Sequence, residues 1–198
     1  MYDTGMSDTP VPVDLRAAPY FLSDADVAWV NTTFESMTPR ERMCRLFVHL
    51  FRSTDVDEAC AFLRRYPVAA VRYAGGSPEE VQRLITAVQS ASRLPLLVAG
   101  NADAGGNGLV DGGTYVASPA QAEATGTPET AYRMGLVAGR EARALGVNWL
   151  FNPVVDILLN WRNTIVNNRS FGTTAERVLE FARAYIRGVQ EAGIAACA

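Results

Sequence analysis

Leu94-Pro95-Leu96-Leu97-Val98-Ala99-Gly100-Asn101-Ala102-Asp103-Ala104-Gly105-Gly106-Asn107-Gly108 joins an apolar run to a segment dense in glycine, asparagine and aspartate. The run Leu96–Ala99 is continuous rather than alternating, which is the pattern of a strand covered on both faces. Similar runs occur at Leu46-Phe47-Val48, Val68-Ala69-Ala70-Val71, Val147 to Phe151 and Ile194-Ala195-Ala196. Between them stand capped amphipathic segments. Thr38-Pro39-Arg40-Glu41 and Ser77-Pro78-Glu79-Glu80 each place a capping hydroxyl, a proline at the first helical position and a glutamate three residues on. Thr127-Pro128-Glu129 opens a third helix that runs to Leu145 and stops at Gly146, and Thr173 with Glu176 opens a fourth. Strand–helix alternation with such strands predicts a parallel α/β sheet, with five strands and four connecting helical segments. Periodicity alone fits both a doubly wound sheet and a (β/α)8 barrel, and five strands are too few to close a barrel.

Segments rich in glycine, asparagine and aspartate follow strand C-termini: Tyr73 to Gly76, Gly100 to Gly108, Asn152 to Asp156, and Asn160 to Gly172. The C-terminal edge is where α/β folds carry their sites. The loops after strands three and four therefore hold the candidate chemistry.

Composition narrows that chemistry. The chain has 198 residues, 18 basic against 21 acidic side chains and a net charge of −3, and every basic residue is arginine. A hydrophobic content of 48% excludes a disordered chain. The slightly acidic balance argues against a nucleic-acid groove or an anionic membrane as partner. With one histidine, His49, no His-rich metal site can be assembled, and no cofactor is expected. Cys44, Cys60 and Cys197 are widely spaced and odd in number, so buried reduced thiols are expected rather than a disulfide framework. The N-terminal residues lack the pattern of a signal peptide, and no apolar run reaches the ~18 residues of a membrane helix. A cytoplasmic protein is expected. Residues 1–37 read as an N-terminal arm with a lead-in helix from Ser23, and residues 38–198 as the α/β body.

The glycines of 100–108 lack both the GxGxxG spacing and the lysine of a phosphate loop, so they are read as turn and close-approach positions. Asp103 and Asp156 are the carboxylates best placed to meet above the sheet, and a carboxylate pair suits glycoside hydrolysis. Each also fits a local role, Asp103 as a turn residue and Asp156 as a capping or loop-fixing aspartate. Arg169, among asparagines in a loop between strand end and helix, suits a clamp whose planar fork grips sugar hydroxyls or a carboxylate. His49, at the end of a strand run, is read as a buried, hydrogen-bonded histidine. Trp149 and Phe151 are assigned to the core, whereas Phe171 is a candidate for stacking on a sugar face.

Three segments, in order, resemble the N-terminal barrel domain of glycoside hydrolase family 3. They are Leu94 to Gly108, then Ala144-Leu145-Gly146-Val147-Asn148-Trp149-Leu150-Phe151-Asn152-Pro153-Val154-Val155-Asp156, then Asn168-Arg169-Ser170-Phe171-Gly172. A helix ending Gly188-Val189-Gln190-Glu191-Ala192-Gly193 follows. The resemblance implies a (β/α)8 TIM-type barrel, here incomplete with about five strands, and a retaining exo-glycosidase of the β-N-acetylhexosaminidase-like branch. It implies a carbohydrate substrate, a terminal β-linked N-acetylglucosamine or glucose. By the same resemblance Asn101 stands where most of the family has an aspartate holding sugar hydroxyls. Asp103 matches the acidic residue two positions on, one carbon shorter than the usual glutamate, and Arg169 matches the arginine clamping the same ring. Asp156 and Asn168 are implied as site-organising residues.

The family's Lys-His-Phe-Pro-Gly motif, acid/base and nucleophile are expected beyond Ala198, so no catalytic residue is assigned within the chain. An isolated portion of this kind is expected to be inactive, because double displacement needs its nucleophile ~5 Å from an acid. A barrel with five strands leaves an open edge, a surface for self-association or for completion by another chain. The alternatives are a non-catalytic carbohydrate-binding half-barrel, a β-glucosidase-like member of the family, and an α/β enzyme using Asp103 and Asp156 as its own pair.

Overall fold

The computed structural model describes residues 13–198, so the first twelve residues of the expected arm lie outside the described ones. The chain divides into two compact units, Met1–Arg42 and Met43–Ala198, a boundary five residues beyond the expected one. In the first, helix α1 (Asp24–Ser36) begins with a capping box between Ser23 and Asp26. Helix α2 (Pro39–Cys44) runs across the boundary, and Thr38 Oγ1 accepts from the Glu41 amide at 3.2 Å.

The second unit is built on five parallel strands: β1 (Val48–Phe51), β2 (Ala70–Tyr73), β3 (Leu97–Gly100), β4 (Trp149–Leu150) and β5 (Ala195–Ala196). Their order in the sheet is their order in the chain, β1-β2-β3-β4-β5. Helices α3 (Val56–Arg65), α4 (Pro78–Ala91), α5 (Pro119–Ala124), α6 (Pro128–Leu145) and α7 (Ala175–Glu191) occupy the connections. Consecutive parallel neighbours linked through helices are the construction of a (β/α) barrel, here with open edges at β1 and β5.

The register sorts side chains by face. Val71 pairs with Val98 and Gly100 with Leu150, and Val71, Val98 and Leu150 are sealed against the helices together with Val81, Leu84 and Val88. Residues one step away face the side that a closed barrel would enclose. On that side Val48 of β1 is 47% exposed and Leu97 of β3 is 45% exposed, the two flanking Ala70 of β2. Apolar side chains left this accessible mark an interior face with nothing across from it.

The strands begin later than the apolar runs. Leu46 and Phe47 precede β1 and are exposed, and Val68 lies before β2, its carbonyl accepting from Arg45 Nη1 at 2.5 Å. Polar Arg72 falls inside β2, half-buried and in register between Leu50 and Ala99. Helices α3 and α5 are additional to the expected elements. Asp55 caps α3 by accepting from the Glu58 amide, and Ser118 caps α5 with a box completed by Gln121. Thr174, not Thr173, caps α7. The thiols are free, but not buried as expected: Cys44 and Cys60 are half-buried, and Cys197 is exposed next to the open β5 edge. No described helix is long and apolar enough to cross a membrane.

Helices α6 and α7 lock together through glycine. A Cβ on Gly135 would lie 2.2 Å from the Tyr185 carbonyl oxygen, and one on Gly188 would lie 2.2 Å from that of Tyr132. This close approach fixes α7 and with it Tyr185, which reaches into the site.

Candidate functional site

The loop after β3 folds back on itself. The Val116 amide donates to Ala104 O at 2.9 Å, the Asn107 amide to Thr114 O at 3.3 Å, and Gly105 adopts φ of 103°, open to glycine. A single turn, Gly106–Gly108, packs so tightly that a Cβ on Gly108 would meet Asn101 O at 2.4 Å. The effect is to hold Asn101, Ala102 and Asp103 at the C-terminal end of β3.

Asp103 is the centre of the arrangement. Its Oδ2 accepts from Arg169 Nε at 3.0 Å, and its Oδ1 accepts from Asn152 Nδ2. About a quarter of the Asp103 side chain and a third of Arg169 remain accessible, so the pair sits at an open surface rather than in the core. Arg169 uses only Nε here. Among the described residues its two terminal amino groups have no partner, and they are available to a ligand. Asn101 Oδ1 is buried without a hydrogen-bond partner, an acceptor awaiting a donor.

Beneath this pair the Ala102 peptide is held on both sides. Asn152 Oδ1 accepts from its N–H at 2.6 Å, and the Tyr185 hydroxyl donates to its carbonyl at 3.0 Å. Asn152 and Tyr185 are each only 1% exposed. Burial, reinforced by the nearby Asp103 charge, pushes the Tyr185 hydroxyl well above its ordinary pKa, so it stays a donor. Asn148, just ahead of β4, acts in the same way. It accepts from the Val98 amide at 2.7 Å and donates to Leu96 O at 3.0 Å, so that β4 is tied to β3 by side chain as well as main chain.

The structure thus brings Asp103 and Arg169 together, with Asn101 at the same strand end. Asn168 lies in the same single turn as Arg169, residues Asn167–Arg169, and is exposed. Asp156 is exposed, and its carboxylate has no hydrogen-bond partner among the described residues. What fixes its loop is its main-chain oxygen, which accepts from Ser170 Oγ at 2.7 Å. No hydrogen bond joins Asp156 to Asp103, whose two oxygens are engaged by Asn152 and Arg169. Phe171 cannot stack on a ligand: it is 0% exposed, packed against Phe181 and Tyr185. Trp149 and Phe151 meet edge to face at 4.6 Å and are half-buried rather than within the sealed core. His49 is the second residue of β1, not its end. It stacks on Phe62 at 3.7 Å in place of the expected hydrogen bond, and burial lowers its pKa although Glu58 opposes the shift.

Asn152 and Tyr185 carry no sequence signature of these roles. Asn152 is legible only as a member of an Asn-Pro loop, and Tyr185 only as one apolar position on an amphipathic helix.

A parallel (β/α) sheet with its strands in chain order and a carboxylate–guanidinium pair at its C-terminal edge defines an incomplete (β/α) barrel. Residues 41–198 match the model of the glycosyl hydrolase family 3 N terminal domain, and the chain belongs to that family. It is 38% identical over 186 residues to a beta-N-acetylglucosaminidase/beta-glucosidase of Cellulomonas fimi, covering 94% of this chain and 33% of that protein. The solved beta-glucoside phosphorylase BglX bound to 2FGlc superposes with a TM-score of 0.87 at 34% identity, covering 92% of this chain and 33% of that one. A family 3 beta-N-acetylglucosaminidase from Paenibacillus sp. str. FPU-7 gives 0.75 at 30% identity, with 81% and 32% covered. The chain therefore spans about a third of the length of these relatives, in their N-terminal region.

Proposed function

We propose that this chain is the sugar-holding portion of a retaining exo-glycosidase acting on terminal β-linked N-acetylglucosamine or glucose. The observation that carries the reading is the Asp103–Arg169 pair. Its carboxylate is aimed by Asn152 and its guanidinium keeps two amino groups unused. A sugar ring presents adjacent hydroxyls that both donate and accept. Asp103 and Asn101 Oδ1 accept from such hydroxyls, and the Arg169 amino groups donate to them. In the reaction, a carboxylate nucleophile attacks the anomeric carbon as an acid protonates the leaving oxygen, and water then releases the sugar with retention. The residues of this site hold the ring during both steps; neither nucleophile nor acid is assigned to them. The two named activities of the Cellulomonas fimi relative support both sugars as candidates.

The test is calorimetric titration of the chain with N-acetylglucosamine, glucose and, as a control, an unrelated pentose. Saturable binding of either hexose, weakened at least tenfold in Arg169→Ala with folding retained, supports the proposal. Equal binding by the variant contradicts it.

A second reading, a carbohydrate-binding half-barrel completed by another chain, is favoured by the exposed Leu46, Phe47, Val48 and Leu97. Sedimentation separates the two: a stable, stoichiometric oligomer supports assembly, and a monomer at micromolar concentration counts against it.

A further inference from the structure

We infer that Asn152 is a positioning residue of the sugar clamp, setting the orientation of Asp103 through one hydrogen bond while its other bond holds the loop. The inference rests on the proposed reading of the site for its functional consequence, but not for its geometry.

Asn152 is one of three buried polar or charged residues in the described chain, at 1% exposure, and it uses both ends of its amide. Its oxygen accepts from the Ala102 N–H at 2.6 Å, which fixes the main chain between Asn101 and Asp103. Its amino group donates to Asp103 Oδ1, while Arg169 Nε donates to Oδ2 from the other side. A carboxylate with a donor on each oxygen has one plane open to it, so the rotation of Asp103 is set by Asn152 and Arg169 together. Arg169 is itself a third exposed and sits in a loop without a cap. Asn152 is the rigid member of the pair, because it is sealed at the end of β4 and its oxygen is anchored. The remaining lone pairs of Asp103 are thereby directed outward, where a ring hydroxyl donates. The two halves of the amide have separable work: the oxygen is structural, and the amino group aims the carboxylate.

That division is testable with two substitutions. Asn152→Asp keeps an acceptor for the Ala102 N–H but replaces the donor facing Asp103 with a second carboxylate oxygen. Asn152→Ala removes both. Three quantities are read in each: hydrogen exchange of the Ala102 amide, the Arg169 Nε–H nuclear resonance that reports the ion pair, and affinity for N-acetylglucosamine or glucose. The groups bonded to the Asn152 side chain are the Ala102 N–H and Asp103; Arg169 stands on the far oxygen of Asp103, and the Tyr185 hydroxyl on the Ala102 carbonyl.

In Asn152→Asp, Ala102 protection is retained and the Arg169 Nε–H resonance shifts. Sugar affinity falls at least tenfold at pH 7.5, because Asp103 Oδ1 then faces an acceptor in place of its donor. In Asn152→Ala, Ala102 protection is lost as well. An Asn152→Asp variant with unchanged Arg169 resonance, or with wild-type affinity at pH 7.5, overturns the inference. If the unaltered chain binds neither sugar, the proposed function fails, and the Arg169 resonance and Ala102 exchange still decide the role of Asn152.

Discussion

Gly188→Ala tests whether the close packing of α6 on α7 is what holds the site's foundation. A Cβ at position 188 falls 2.2 Å from Tyr132 O, 2.7 Å from Leu136 N and 3.2 Å from Gly135 C, all backbone atoms of α6. No side-chain rotation relieves those contacts. The helices must separate by roughly 1 Å to restore ordinary van der Waals distance, and overpacking of this kind costs ~1–3 kcal/mol. Against it stands the gain of about 1 kcal/mol from replacing glycine with alanine within a helix. Because the obstacles are main chain, the upper end of the range applies and a net loss of about 1–2 kcal/mol is expected. For a chain of this size that lowers the melting temperature by roughly 2–8 °C. Tyr185 lies one turn before Gly188, so the same displacement lengthens its 3.0 Å bond to Ala102 O. Thermal unfolding followed by circular dichroism reads the first effect, and exchange of the amides around Ala102 reads the second. A melting temperature that is unchanged, or raised as helix propensity alone would have it, refutes the reasoning.

Tyr185→Phe removes one of two donors to the buried Ala102 carbonyl and leaves it only the Gly105 amide at 3.2 Å, which costs ~0.5–1.5 kcal/mol in denaturant titrations. The same variant weakens sugar binding, since the main chain beside Asp103 loses one of the bonds that hold it. His49 predicts a pH dependence. Burial against Phe62 lowers its pKa from 6.5, so between 6.5 and the lower folded value the unfolded chain binds more protons. The stability contributed by neutral His49 is therefore complete above pH 6.5 and is lost as the pH falls through that window. His49→Phe keeps the stack and flattens this region of the stability profile; a variant with the wild-type slope contradicts the assignment.

Much of the fold is legible in the sequence because capping chemistry is local. Ser77 with Glu80 forms the box its spacing predicts, and Gly146 ends α6 at φ of 90°. Asp55 with Glu58 and Ser118 with Gln121 offer comparable signals: α3 is readable from Val56, Ala59, Cys60 and Leu63, spaced i, i+3, i+4, i+7, whereas α5, with six residues, is too short for a period to register. Strand limits are displaced by two residues at β1 and β2, since apolar content marks what is buried and not where the ladder starts. Val68 is 4% exposed yet outside β2, while Arg72 is inside it.

The site is half legible. The resemblance assigns Asp103 and Arg169 to one sugar ring, and the structure joins them, 66 residues apart, in an ion pair. Phe171 goes the other way: an aromatic beside a ligand clamp looks the same in sequence whether it faces the ligand or the core. Asn152 and Tyr185 are invisible for a related reason. The partner of each is the Ala102 main chain, which no side-chain pattern reveals.

In the proposed function a sugar ring is held between Asp103 and Arg169 at the end of β3. A crystal structure of the chain soaked with N-acetylglucosamine, and separately with glucose, tests it most directly. Ring hydroxyl oxygens are expected about 2.7–3.2 Å from a carboxylate oxygen of Asp103 and from the Arg169 terminal nitrogens, with Asn101 Oδ1 accepting from the same ring. A sugar seated instead in the apolar hollow beside Phe47, His49 and Phe62, with Asp103 and Arg169 untouched, would contradict it.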